Sequence, residues 1–194
     1  MLGLRALMVV GLLGLVGCAS GGSKSEAPVG DPWFRAARTG DVATLSGMIQ
    51  GGKFIDEPST VGVTALMVAA RAGHPMAVKW MLANGADAKR LDKDGQSALA
   101  YALVGEGSGL KLEQVVDQLL DAGSDPFRVD AIGFQPIQAM IELDMENSIR
   151  KIKLTSKKPC DLVPKVQGQA SLALGARRLD REKLAEYFEA QGCW

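Results

Sequence analysis

The chain holds one histidine, His74, inside "VAARAGHPMA" (residues 68–77), and three cysteines, Cys18, Cys160 and Cys193. A histidine poised beside a nucleophile would be general-base chemistry, and a histidine among cysteines would be metal chemistry. Neither arrangement is present, because no Cys or His pair stands at ligand spacing. A second stretch, "RAARTGDVAT" from Arg35, explains the histidine instead. Ala36-Ala37 aligns with Ala69-Ala70, Arg38 with Arg71, Gly40 with Gly73, and Asp41 with His74, all at an offset of 33. A base or ligand would not exchange with a carboxylate in an internal copy, whereas a residue that opens a helix would. His74 therefore reads as helix punctuation.

Two other stretches imitate chemistry. "GMIQGGKF" (47–54) has the Gly47, Gly52 and Lys53 of a phosphate-binding loop, but Phe54 stands where a magnesium-binding Ser or Thr is required. "GEGSG" (105–109) is followed by Leu110 where a dinucleotide fingerprint needs glycine, and Glu106 spoils the nucleophile elbow around Ser108. It reads as a flexible insertion. With no catalytic set, no cofactor cradle and no metal ligands, the expectation is a non-catalytic protein without cofactor or metal.

The elements that carry these residues are helical. Of 194 residues, 47% are hydrophobic and 23% charged, while aromatics make up only 5% and glycines number 23. That composition suits one domain of short helices ended by turns rather than an aromatic-filled sandwich. The formal net charge is zero, so nothing points to nucleic acid, which asks for a basic excess.

The N-terminus reads as a targeting segment. Arg5 precedes a twelve-residue uncharged run, Ala6 to Gly17, the length of a secretory core and too short to span a bilayer. The run ends "LVGCAS", which resembles the lipobox of bacterial lipoproteins. The resemblance implies a signal peptide over 1–17, lipidation at Cys18, and a membrane anchor. Ala19, rather than aspartate, then favours the outer membrane, with the protein facing the periplasm. Residues 18–30, polar and glycine-rich, read as a tether of roughly 20 Å root-mean-square span. In an exported protein Cys160 and Cys193 are candidates for a disulfide, or else two free thiols. Equivalent points on packed helices lie about 8–10 Å apart, beyond the ~7 Å limit of a bridge, so a bridge would need local adjustment.

Residues 64–87, "TALMVAARAGHPMAVKWMLANGAD", resemble the ankyrin repeat, with Thr64, Leu66, Ala69, Ala70, Gly73, His74, Val78, Met81, Leu82, Gly85, Ala86 and Asp87 on its pattern. Ala65 and Met67 depart from it. Copies fall at about 33–57, 61–91, 92–129 with a five-residue insertion, and 130–153, followed by a degenerate cap at 166–194. In the fourth copy Asp144 stands at the glycine position, which leaves its turn open. The cap, with Leu184 on Val78 and Tyr187-Phe188 on Met81-Leu82, would set Asp180 on His74.

The resemblance implies an all-α solenoid of four to five helix-turn-helix repeats, monomeric, binding an unidentified protein partner on its concave surface. First-helix positions expected to face that surface are Phe34, Arg35 and Arg38; Met67, Val68 and Arg71; Ala100, Tyr101 and Val104; and Gln138, Ala139 and Glu142. Glu57, Ser59, Arg90, Lys93, Arg128 and Asp130 are expected at loop tips. A basic stretch, "RKIKLTSKK" (150–158), is a solvated face or a second docking patch. The function expected is an interaction module on the periplasmic side of the envelope, with neutralisation of a toxic effector as the alternative.

Cys18→Ser should abolish lipidation and leave an unprocessed or soluble exported protein. Metabolic fatty-acid labelling with fractionation checks this; equal label in both forms would refute the lipidation site.

Overall fold

The computed structural model describes residues 30–152, 173, 176, 177 and 179–190. Cys18 and the run before it, Cys160, Cys193 and residues 153–158 lie outside the described residues. The chain winds as pairs of helices: α1 (Pro32–Thr39) with α2 (Val42–Gln50), α3 (Ala65–Arg71) with α4 (Pro75–Ala83), α5 (Ala98–Leu103) with α6 (Gly109–Asp121), and α7 (Pro136–Glu142) with α8 (Glu146–Lys151). A later helix, α9 (Glu182–Ala190), closes the described part.

Local chemistry sets the starts. The first turn of a helix leaves backbone N–H groups without carbonyl partners, and short polar side chains take them up. Asp31 accepts from the Trp33 N–H at 2.8 Å, Thr64 from Met67 at 3.4 Å, and Ser97 from Ala100 at 3.3 Å. Asp41 opens α2 by accepting from the Thr44 N–H at 3.1 Å and the Thr44 hydroxyl at 2.6 Å. These bonds, the hydroxyl's first, hold the Asp41 carboxyl below its ordinary pKa.

A left-handed residue reverses the chain between paired helices: Gly40 at φ 71°, Gly73 at 69°, Asp144 at 59° and Asp180 at 57°. In each case that residue and the next return their N–H groups to the end of the first helix, as Asp144 does to Ile141 and Met145 to Met140. Asp is among the few non-glycine residues that visit this region, so the fourth copy makes its turn without glycine. The cap shows the same device one residue later than the sequence suggested. Asp180 takes the place of Gly73, not of His74, and Arg181 occupies the histidine position. In that register Leu184, Ala185 and Phe188 fall on Ala77, Val78 and Met81, and all are buried.

The first helices pack in one row, α1 to α3 to α5 to α7, and the second helices in another, α2 to α4 to α6 to α8. One position of the first row, Trp33, Leu66, Leu99 and Ile137, is fully buried throughout. Val78, Val116 and Ile149 repeat this in the second row. Burying each such side chain contributes about 1.5–3 kcal/mol. Ala69 and Ala102, also buried, leave room for neighbouring backbones to approach.

Polar bonds also cross between copies. His74 has no local capping bond; its Nε2–H donates to the Arg38 carbonyl of the preceding copy at 2.8 Å. In place of a local cap, His74 makes a bridge between copies. The "GEGSG" insertion is likewise docked, not loose. The Glu106 N–H donates to the Arg71 carbonyl at 2.7 Å, and a Cβ on Gly105 would lie 2.1 Å from that same oxygen. The remainder of the insertion lengthens α6 to 13 residues, against 9 in α4.

Gly40 and His74 should be energetically coupled, because a Cβ on Gly40 would stand 2.8 Å from the His74 ring. Gly40→Ala is expected to cost more than about 1 kcal/mol from its left-handed backbone alone. In a His74→Ala background the cost should shrink, with the coupling about 0.5–1.5 kcal/mol. A double-mutant cycle by chemical denaturation measures it; strictly additive costs would refute the contact.

Candidate protein-binding surface

Two positions of the first helices run side by side across the stack. One is held by Arg35, Val68, Tyr101 and Ala139, the other by Arg38, Arg71, Val104 and Glu142. Arg35, Arg38, Arg71 and Glu142 are exposed, Val104 is 54% exposed, and Val68 and Ala139 are half-buried. Gln138, beside them, is half-buried as well.

Four expected surface residues are instead buried: Phe34 at 5%, Met67 at 1%, Ala100 at 3% and Tyr101 at 4%. The Met67 side chain folds back over the start of its own helix, where its sulfur meets the Thr64 N–H at 3.4 Å. Tyr101 reaches toward the preceding hairpin and donates its hydroxyl to Asp92 Oδ2 at 2.8 Å. Both are parts of the frame rather than of the docking surface.

Asp92 belongs to a device that sequence reading passed over. Ser59, Asp92 and Asp130 each begin a four-residue turn that ends in a left-handed glycine, Gly62, Gly95 and Gly133. Each side chain accepts two backbone N–H groups: Ser59 from Val61 and Val63, Asp92 from Asp94 and Gln96, Asp130 from Ile132 and Phe134. The signal was the spacing of Ser or Asp with Gly three residues on, recurring at 59, 92 and 130. Neighbouring turns are then bonded to each other. The Lys93 N–H donates to the Val61 carbonyl and the Ala131 N–H to the Asp94 carbonyl, each at 3.0 Å. Gln96 adds a bond to Asp130 Oδ2 at 2.8 Å.

The turns form a second wall beside the first helices, tied to them by Tyr101. On this wall Glu57, Arg90, Lys93 and Arg128 are exposed, and Ser59 and Asp130 are half-buried because they hold the turns. Exposed cations on rigid backbone beside apolar side chains can recognise another protein's surface. Among the described residues no group of three or more His, Cys, Asp or Glu could hold a metal ion. No helix among them is long and apolar enough to cross a membrane.

A family model for ankyrin repeats, spanning three copies, matches residues 33–130. The chain belongs to the ankyrin repeat family. Its fold is the all-α solenoid expected, and its solved neighbours agree. An ankyrin repeat domain from Acinetobacter baumannii AYE superposes with a TM-score of 0.56 at 26% identity, covering 62% of this chain and 61% of that one. The human ASB11 ankyrin repeat domain gives a TM-score of 0.57 at 20% identity, covering 84% and 70%, a likeness of fold. Among curated proteins, the NAD-capped RNA hydrolase NUDT12 of Homo sapiens is 41% identical over 69 residues, 35% of this chain and 15% of that protein. An ankyrin repeat, SAM and basic leucine zipper domain-containing protein of Neofelis nebulosa is 33% identical over 92 residues, 47% and 19%. The chain thus spans less than a quarter of the length of these curated relatives. An ankyrin repeat fold is typically a protein-binding and non-catalytic module, and the surface described fits that use.

The described cations of the second candidate patch, Arg150 and Lys151, are engaged within the fold. Arg150 pairs with Glu146 at 2.8 Å and lies 5.3 Å from the centre of the Tyr187 ring. Lys151 is ion-paired with Asp117, whose hydrogen bond and charge raise the lysine's pKa.

Tyr101→Phe should destabilise the protein by about 1.5–3 kcal/mol, since it removes a hydrogen bond to a buried carboxylate. Thermal unfolding of the two proteins checks it; an unchanged melting temperature would return Tyr101 to the list of surface residues.

Proposed function

We propose that this chain is a non-catalytic docking protein, lipidated at Cys18, monomeric, and held on the periplasmic side of a bacterial outer membrane. The observation that carries the docking role is the exposed row Arg38, Arg71 and Val104 at the C-terminal ends of the first helices. These side chains stand on backbone that the stack makes rigid, so a partner orders little of the protein when it binds. The lipobox-like "LVGC" before Cys18 supports the address. A tether of roughly 20 Å would keep the domain close to the membrane without laying it in the bilayer. The arginines, together with apolar neighbours, are residue types in which interface energy concentrates.

Crosslinking of intact envelopes, followed by affinity capture, tests this reading. A specific protein should be recovered with the wild type, and Arg71→Glu should weaken its binding by about 1–2 kcal/mol or more while leaving the melting temperature nearly unchanged. Recovery unaffected by Arg71→Glu but lost on changing residues 150–158 would move the site to the basic segment. A toxic effector among the captured proteins would identify the narrower role of neutraliser.

A further inference from the structure

Between residues 30 and 152 twelve basic side chains stand against sixteen acidic ones, so the domain is acidic as a whole. The first helices invert that balance, with Arg35, Arg38 and Arg71 against a single acid, Glu142. The turn tips add Arg90, Lys93 and Arg128. None of these six cations forms an ion pair among the described residues, while Lys53, Arg150, Lys151, Arg177 and Arg181 each do. Glu106 approaches Arg71 through its backbone alone and makes no ion pair with it. Lys79, Lys89 and Lys111 are also exposed and without an ion pair among the described residues but lie off the first helices, so the localised positive field is that of the first-helix arginines, Arg35, Arg38 and Arg71.

The same row changes character along the stack. The exposed position that is Arg38 and Arg71 in the first two copies becomes Val104 in the third and Glu142 in the fourth. At the adjoining helix ends, Leu143 in the fourth copy is 49% exposed and Leu179 in the cap 44%. The cap is joined to the fourth copy by Arg181 with Asp144 at 3.0 Å, which places Leu179 next in line after Leu143. Layers of packed helices are spaced about 8–10 Å, so Arg71 and Leu143, two layers apart, are separated by about 16–20 Å. An extended peptide covers that distance in about five or six residues.

We propose that this face takes one kind of partner: a protein segment with an acidic cluster at one end and an aliphatic cluster about 16–20 Å away, laid along the repeat row. The acids meet Arg38 and Arg71, and the aliphatic groups meet Val104, Leu143 and Leu179. Nucleic acid fits less well, since the domain's acidic excess would repel it. The proposal rests on the docking role above and adds the partner's chemistry to it.

Selection from a display library of randomised peptides, using the full chain as bait, tests the proposal. Enriched peptides should carry Asp or Glu in one cluster and aliphatic residues about five or six positions away. Arg38→Glu with Arg71→Glu should lower their affinity about tenfold or more, and Val104→Ser with Leu143→Ser should do so to a similar extent, without a fall in melting temperature. No enrichment, enrichment without acidic bias, or indifference to the paired arginine reversals overturns it. Retention on phosphatidylglycerol vesicles that the same reversals abolish, with no peptide enriched, overturns it in favour of a lipid surface. If crosslinking still recovers a partner that these changes do not affect, the docking role stands and the partner chemistry fails.

Discussion

A helix of six to eight residues closes too few hydrogen bonds to offset the cost of its own nucleus. The first-row helices are of this length, so each exists only against its neighbours. This constraint organises the rest of the molecule. Side chains at the stacking position must be buried in every copy, and small residues must stand where backbones approach. The first helices of the first, second and fourth copies and the cap end in the same left-handed turn, while the third ends without one and returns through the Glu106 N–H to the Arg71 carbonyl. Gly40 and Gly73 make that turn with no steric cost, and Asp144 and Asp180 make it with a tolerated one. The polar bridges follow the same logic: His74 to Arg38, Ser124 to the Ala88 carbonyl at 3.0 Å, and Ser148 to Asp117 at 2.6 Å all tie one copy to the next.

Much of this architecture was legible because stacking writes itself periodically. The offset of 33 between Ala36-Ala37 and Ala69-Ala70, and of 38 across the insertion, brings Leu66, Leu99 and Ile137 to one buried position. The cap was read one residue out of register because its apolar residues, Leu184, Ala185, Tyr187 and Phe188, satisfy two adjacent frames equally well. Only the left-handed conformation of Asp180 separates them, and an aspartate does not announce that conformation as a glycine does. Asp144 was ambiguous for the same reason.

The surface was less legible than the core. A helical position tells which way a side chain leaves its helix, but not what folds over it afterwards. The spacing put Met67 and Tyr101 toward the docking face, but both are buried through interactions with Thr64 and Asp92. Arg38, Arg71 and Val104, one turn further along, escape because no element of the described chain covers them. The difference lies in the hairpins, whose contribution rests on single Ser or Asp side chains accepting backbone N–H groups. Hydrophobic periodicity carries no trace of such bonds. The repeated Ser/Asp-to-Gly spacing does, once the turns are compared with one another.

The insertion links the two halves of the problem. Five extra residues in a solenoid would ordinarily loop away from the stack, and long loops are tolerated at small entropic cost. Here the added backbone returns to the second copy, where Glu106 caps the Arg71 carbonyl and Gly107 lies against Gly73. Only glycine permits either approach: a Cβ on Gly73 would come within 2.6 Å of Gly107, and one on Gly105 would meet the Arg71 backbone. The last carbonyls of a short helix are those most exposed to fraying, and Arg71 is the final residue of α3. By taking up that carbonyl, the third copy fixes the backbone from which the Arg71 side chain projects. A cation on fixed backbone loses less freedom when a carboxylate engages it than one on a frayed end. The departure from strict repetition therefore falls where the recognition surface gains most from rigidity.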